Sequence, residues 1–337
     1  MIKKRVFLVF LILALLLPAL MFAGGKSEQP AQGTTAEAAK KAPKVRFIMM
    51  GLNNPYTSAQ ARYTEEWAKK LGWDYVLYDG ELDAKKNAEY LDYAITEKPD
   101  LIILMPIDST AVSKGIKKAF DAGIPIIMEH MQANPEDEKY TMVYTGPSNY
   151  LQGTLAGEMF NEKLKGKGSV VEITCVPGQE TTIGRHNGAV DKLKELGDGV
   201  KIIASNNGDA QVDLTLKVME DFLTRFGAKG INGIYACDDT MAVAATIALK
   251  EAGIPEGSIP IIGVGGSRGG LAAIKSGAMY GTIAQSPKIT QVQTKDLAVK
   301  ILSEGLKPPY RFDPYYQYVS TPKVTKANVD EFLPGDW

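Results

Sequence analysis

Ten short apolar runs, at 45–50, 73–78, 101–105, 124–128, 142–145, 169–175, 201–205, 233–237, 259–264 and 280–284, recur along the chain with polar, helix-forming stretches between them. Each has the length of a strand, and near-continuous apolar character marks strands covered on both faces. Between them, runs such as 84–97 set Ala88, Leu91 and Ile95 on one helical face. Strand and helix alternating at this spacing specify parallel sheets flanked by helices. The rhythm restarts at 169 and the 337 residues exceed the usual size of one core. The expected fold class is therefore α/β, with two Rossmann-like lobes, each a parallel sheet flanked by helices.

Lys3, Lys4 and Arg5 precede an apolar run at 6–22, followed by Ala23-Gly24-Gly25. This predicts a cleavable signal peptide at 1–23 and a periplasmic or extracytoplasmic protein. The run is also long enough to span a bilayer, so an uncleaved membrane anchor is the alternative. Residues 24–43 have almost nothing to bury and read as a flexible tether. Lys and Arg number 38 against 39 Asp and Glu, with no basic block beyond the first residues, so nucleic acid is not an expected partner. The two cysteines, Cys175 and Cys237, each end a strand-like run. Export permits a bridge between them. The expectation is two buried, reduced thiols.

Polar residues collect at the strand ends, the edge where open α/β sheets bind ligands. After the first strand come Asn53, Asn54, Pro55, Tyr56 and Thr57. Pro55 holds Asn54 extended, and Thr57 with Gln60 reads as a capping box. Asn53, Asn54 and Tyr56 are left without a structural reason. Further along stand Asp108 and Ser109, then Glu129-His130, Gln179-Glu180, Asp238-Asp239, Ser267-Arg268 and Gln285. Asp108, Asp238 and Ser267 also suit helix N-caps. Together the row predicts a cleft lined with hydrogen-bonding groups.

Gly265-Gly266-Ser267-Arg268-Gly269 matches G-x-S-x-G between a strand and a helix, which raises an exported α/β hydrolase using Ser267. That fold needs a histidine after the serine, whereas His130 and His186 both precede it. Gly263-Val264-Gly265 follows a late strand and leads to Gln285 rather than an acid, so a dinucleotide is not supported and no cofactor is expected. Two separated histidines give no metal-ligand spacing, and no metal is expected.

The residues "LNNPY" after the first strand, "DYAITEKPDLIILMPIDSTAV", "AFDAGIPII", "CDDTMAVAATIALKEAGI" and "YGTIAQSP" occur in this order behind the expected signal peptide. In this respect the chain, from about 44 to 321, resembles the periplasmic sugar-binding proteins of the ribose and galactose type. These are the type I solute-binding proteins of ABC importers. The resemblance implies two lobes joined by a three-segment hinge, a ligand held between them, no enzymatic activity and a monomer. By analogy the N-terminal lobe comprises 44–146 plus 286–314 and the C-terminal lobe 147–285 plus 315–337. The implied partners are a small sugar or polyol, ABC permease subunits and, as the other known user of such carriers, a chemoreceptor. A repressor of the same two-lobed type would carry DNA-binding helices where this chain has its expected signal peptide and tether.

Matched motif to motif, Asn54 and Tyr56 fall on a polar contact and an aromatic wall. Arg185, within "TTIGRHNGAV", falls on the sugar-binding arginine, Asp238 where ribose binders have Asn, and Gln285 on the glutamine before a crossing. Thr57, Asp108, Glu129 and His130 complete the expected ligand-binding set. The chain departs from ribose binders in having Glu129-His130 for Asp-Arg, no side chain at Gly265, and no aromatic walls near Thr57 and Ala210. Those departures favour a hexose, a sugar alcohol or a cyclitol over ribose.

Overall fold

The computed structural model describes residues 41–337. The expected signal peptide at 1–23, and the expected tether as far as residue 40, lie outside the described residues. Residues 42–337 form one unit built on two sheets.

The first half runs β1 (Lys44–Met49), α1 (Pro55–Lys70), β2 (Asp74–Asp79), α2 (Ala84–Thr96), β3 (Leu101–Leu104), α3 (Ser109–Asp121), β4 (Ile126–Glu129) and β5 (Val143–Gly146). The second repeats the pattern. It comprises α4 (Asn149–Lys163), β6 (Gly168–Thr174), α5 (Glu180–Glu195), β7 (Val200–Asn207), α6 (Val212–Gly230) and β8 (Gly233–Ala236). There follow α7 (Asp239–Glu251), β9 (Ile261–Gly265), α8 (Arg268–Ser276) and β10 (Gly281–Ala284). Helix α9 (Pro287–Ser303) and two short strands, β11 (Tyr316–Tyr318) and β12 (Lys323–Thr325), complete the chain.

The sheet orders are β11-β5-β4-β3-β1-β2 and β12-β10-β9-β8-β6-β7. All pairs are parallel except β10 with β12. In each sheet the first strand of the lobe lies between the second and third, so each has a topological switch point where a crevice opens. The central strand β3, Leu-Ile-Ile-Leu, is buried at every residue, whereas the edge strands β2 and β7 are mostly half-buried or exposed. That is the expected signature of strands covered on two faces against strands at an edge. Phe47 and Ile103 face one core of the first sheet, and Ile48 and Leu104 the other.

The helices start where short polar side chains satisfy first-turn amides. Asn54, Asp108, Asp238 and Ser267 each accept such a bond, which accounts for part of the polar row at the strand ends. The cap of α1 is Asn54 and not the Thr57/Gln60 box: Thr57 N donates to Asn54 Oδ1 at 2.9 Å. Pro55, which opens the helix, leaves the preceding residue extended and its side chain free to cap.

The chain passes between the sheets after β5, again between β10 and α9, and again between β11 and β12. Strand β11 pairs with β5, matching Tyr316 to Tyr144 and Gln317 to Thr145. Residues 316–318 therefore belong to the first sheet, which corrects the expected boundary at 315 and moves the third crossing beyond Tyr318. Three residues are too short a run to announce a strand.

Helices α4 and α5 approach closely through glycine. A Cβ on Gly153 would lie 2.0 Å from Arg185 O, and one on Gly188 2.0 Å from Tyr150 O. Only a residue without a side chain permits that contact.

Candidate functional site

The carboxyl ends of β1, β4, β6, β8 and β10 surround a cavity of about 90 Å³. Asn53, Asn54, Tyr56 and Thr57 line it from the turn after β1, and His130 and Met131 from the end of β4. Gln179 and Arg185 enter from α5 and its approach, Asp238 from the end of β8, and Gln285 from the end of β10. The two halves meet at its rim, where Thr181 Oγ1 donates to Met131 Sδ at 3.3 Å.

Arg185 is the organising group, with 2% of its surface exposed. Its Nε donates to Gln152 Oε1 at 3.0 Å, its Nη2 to Gln285 Oε1 at 3.3 Å and its Nη1 to Cys237 O. Gln152 Nε2 also donates to Gln285 Oε1, at 2.9 Å. Three of the five guanidinium donors are thus taken by protein acceptors, which leaves one donor on each Nη. Burial lowers the guanidinium pKa, against the raising influence of nearby Tyr235 and Asp238.

Asp238 caps α7, accepting from Met241 N at 2.9 Å. Burial pushes its carboxyl up to about 6. His130 sits in the left-handed region, with φ of 62°. Its ring centroid lies 5.0 Å from that of Tyr56. Burial first, and then the Arg185 charge, hold its imidazole down to about 3, so it is neutral at pH 7. The ionisable side chains lining the cavity beside this imidazole are therefore one cation, Arg185, and two acids, Asp209 and Asp238.

Around them, His130 Nδ1, Gln179 Nε2, Asp209 Oδ1 and Trp337 Nε1 are buried and make no hydrogen bond to another described residue. Buried polar atoms are rarely left this way, and here donors and acceptors share one cavity.

Asn54, Tyr56, Thr57, His130, Arg185, Asp238 and Gln285 all line the cavity. Glu129 and Asp108 do not. Glu129 is fully buried behind it, accepting from Gln60 Nε2, and burial pushes its carboxyl up to about 8. Asp108 is exposed, caps α3 and lines a separate groove with Gln132 and Glu138. A strand end that points at solvent reads the same in sequence as one that points at a cleft.

Cys175 and Cys237 are joined in a disulfide, with Cα atoms 5.6 Å apart. The expectation of two reduced thiols is thereby corrected: neighbouring strands β6 and β8 bring both residues to the same sheet edge. Ser267 caps α8, its Oγ accepting from Gly270 N at 3.0 Å and its N donating to Asp239 Oδ2 at 2.8 Å. His186 pairs instead with Glu172, Nδ1 to Oε2 at 2.7 Å. Among the described residues, His, Cys, Asp and Glu do not gather in threes as metal ligands.

Sequence reasoning missed Trp337. It lines the cavity and stands edge-on to Tyr56, although it lies 281 positions beyond it, and no spacing rule links a residue so far along to the end of β1. The isolated aromatic after Pro334-Gly335-Asp336 was the one available signal.

Two doubly wound lobes with an enclosed polar cavity between their strand ends define a two-lobed small-molecule-binding protein. More narrowly, the chain belongs to the periplasmic binding protein domain family, which matches residues 45–307. It is similar to the ribose import binding protein of Bacillus subtilis, 29% identical over 268 residues that span 78% of this chain and 83% of the relative. A xylitol-binding protein of Mycolicibacterium smegmatis is 28% identical, over 79% of this chain and 72% of that protein. Among solved structures, a periplasmic solute-binding protein of an ABC transporter from Actinobacillus succinogenes, with bound D-allose, superposes with a TM-score of 0.76. It is 27% identical, and the match covers 86% of this chain and all of that one. Among the described residues, no helix is long and apolar enough to cross a membrane.

Proposed function

We propose that this protein captures a neutral sugar, sugar alcohol or cyclitol in the cavity, closes its two lobes around it and delivers it to an ABC importer. The observation that carries the reading is the set of unspent buried donors and acceptors around Arg185, Asp238 and Gln285, with Tyr56 opposite. A polyhydroxylated ligand supplies hydroxyls that both donate and accept, and its ring or chain offers an apolar C–H face to an aromatic. An anionic ligand fits less well, because Asp209 and Asp238 lie in the same cavity and three of the five Arg185 donors are already engaged.

Asn54, Tyr56, Thr57, His130, Arg185, Asp238 and Gln285 are the ligand-binding residues in this reading. Glu129 acts from behind through Gln60. Asp108 belongs to the neighbouring groove, where closing lobes or a docking permease meet the surface. The names of the relatives, a ribose import binding protein and a xylitol-binding protein, support the substrate class. The protein works as a monomeric, exported carrier without catalytic function, since Ser267 is committed to capping α8 and has no histidine partner.

A thermal-shift panel of pentoses, hexoses, polyols and inositols tests the proposal. Stabilisation by a member of this set supports it. Stabilisation by amino acids or nucleosides, with every sugar and polyol inert, overturns it.

A further inference from the structure

The segment 333–337 spans the cleft. Leu333 packs against the second lobe's core, and Arg268 secures the segment by donating from N to Trp337 O at 2.8 Å and from Nε to Gly335 O at 3.3 Å. On the other side, Tyr63 of α1 donates to Asp336 O at 3.3 Å, and Ser286, at the second crossing, donates to Asp336 Oδ2. Three consecutive residues thus touch both lobes.

The indole of Trp337 enters the cavity. Its ring centroid is 5.2 Å from that of Tyr56, at an interplanar angle of 82°. A Cβ on Gly265 would lie 2.8 Å from Cζ2 of the indole, so the missing side chain at 265 is what makes room for it. Its Nε1 is buried and makes no hydrogen bond to another described residue, although a buried indole N–H normally finds a partner.

We propose that Trp337 is a ligand-contacting wall that determines which ligand the cavity accepts: the indole packs on the ligand's C–H face while Nε1 donates to one of its hydroxyls. The proposal rests on the sugar, sugar-alcohol or cyclitol reading of the cavity. A residue that merely filled the cleft would have no need of an unspent buried donor, and cavity space remains beside the ring. An aromatic that is apolar in its body and polar at one atom suits a polyhydroxylated molecule, which has the same two aspects. The strap also explains how a lobe with only glycine at 265 acquires an aromatic surface there.

The chain has three tryptophans, and Trp67 and Trp73 pack on each other in the first lobe with centroids 5.2 Å apart. A fluorescence change on ligand binding is therefore assigned by comparison with Trp337→Phe. The full chain is screened against D-ribose, D-allose, xylitol, myo-inositol, amino acids and nucleosides. The tightest binder is then titrated by calorimetry and by emission into wild type, Trp337→Phe and Trp337→Ala. The expected result is that Trp337→Phe loses the emission change while keeping measurable affinity. Trp337→Ala should weaken binding about tenfold or more, roughly 1.4 kcal/mol, and reorder the panel, with its ligand-free melting temperature near that of wild type. Unchanged affinity and ranking in Trp337→Ala would overturn the proposal, as would tighter binding, which would make the indole an occluding plug. If the tightest binder is not a sugar, polyol or inositol, the substrate reading fails separately, and the same three titrations with that compound decide the role of Trp337.

Discussion

Gln60 Nε2 donates to Glu129 Oε1 at 2.5 Å, tying the helix after the first strand to the end of the fourth. The acceptor is fully buried, and burial raises its carboxyl to about 8. An acid whose folded pKa lies above its unfolded value binds more protons when folded, so its contribution to stability falls as pH rises from the unfolded to the folded pKa. For Glu129 that window runs from about 4.5 to about 8.

Glu129→Gln keeps the shape and removes the ionisation. The variant should gain on wild type by a few kcal/mol as pH rises from 5 to 8, because a proton held only by the folded chain is worth about 1.4 kcal/mol less with each step of one in pH. Urea denaturation at several pH values reads the difference between the two proteins. That difference cancels the opposing slope of His130, whose depressed pKa costs stability as pH falls below 6.5. A difference that does not change with pH would mean that Glu129 is ionised throughout.

Gln285 Oε1 accepts from both Gln152 and Arg185. Gln285→Ala leaves two buried donors without that acceptor, at a cost of about 1 to 3 kcal/mol each. Chemical denaturation should show a loss of at least about 2 kcal/mol, and ligand affinity should fall with it. A stability within experimental error of wild type would show that water replaces the lost acceptor.

Gly188→Ala sets a methyl group against Tyr150 O, where the gap is 2.0 Å. Helices α4 and α5 must separate, and Arg185 moves with α5. The variant is expected to lose both stability and affinity, whereas Gly197→Ala, in a turn with open space around it but at a φ of 103°, should lose stability alone and leave affinity unchanged. Equal binding by Gly188→Ala and wild type would disconnect the helix contact from the site.

The Cys175–Cys237 bridge should appear in unreduced protein as a mass lower by two hydrogens. Replacing both residues by Ala should lower stability by about 2 to 4 kcal/mol, the usual effect of losing a native bridge. Full alkylation of unreduced, unfolded protein would show the thiols to be free.

The ten strands β1–β10 were legible, the central ones because two-sided burial writes itself as continuous apolar runs, as in Leu-Ile-Ile-Leu of β3. Seven of the nine expected ligand-binding residues line the cavity, since the strand ends that carry them share one edge. Asp108 and Glu129 were misplaced because position in a strand does not reveal whether a side chain meets solvent, a core or a cleft. The bridge and Trp337 depend on contacts across 62 and 281 positions, beyond the reach of local pattern. Asn54 shows a further ambiguity: one side chain caps a helix and lines the cavity, and sequence cannot separate the two uses.

Because α4 begins three residues after β5 and its backbone touches that of α5, the position of Arg185 is set from the first crossing as much as from its own sheet. The two helices act as a stiff arm pivoted at 146–149, with the guanidinium close to the pivot, bonded to Gln152 in the first turn of α4. Because the cation sits beside the pivot, a shift of the crossing moves it directly, while the glycine contacts keep the arm from flexing. Insertions in the 146–149 turn would accordingly misaim the site without altering any residue in it.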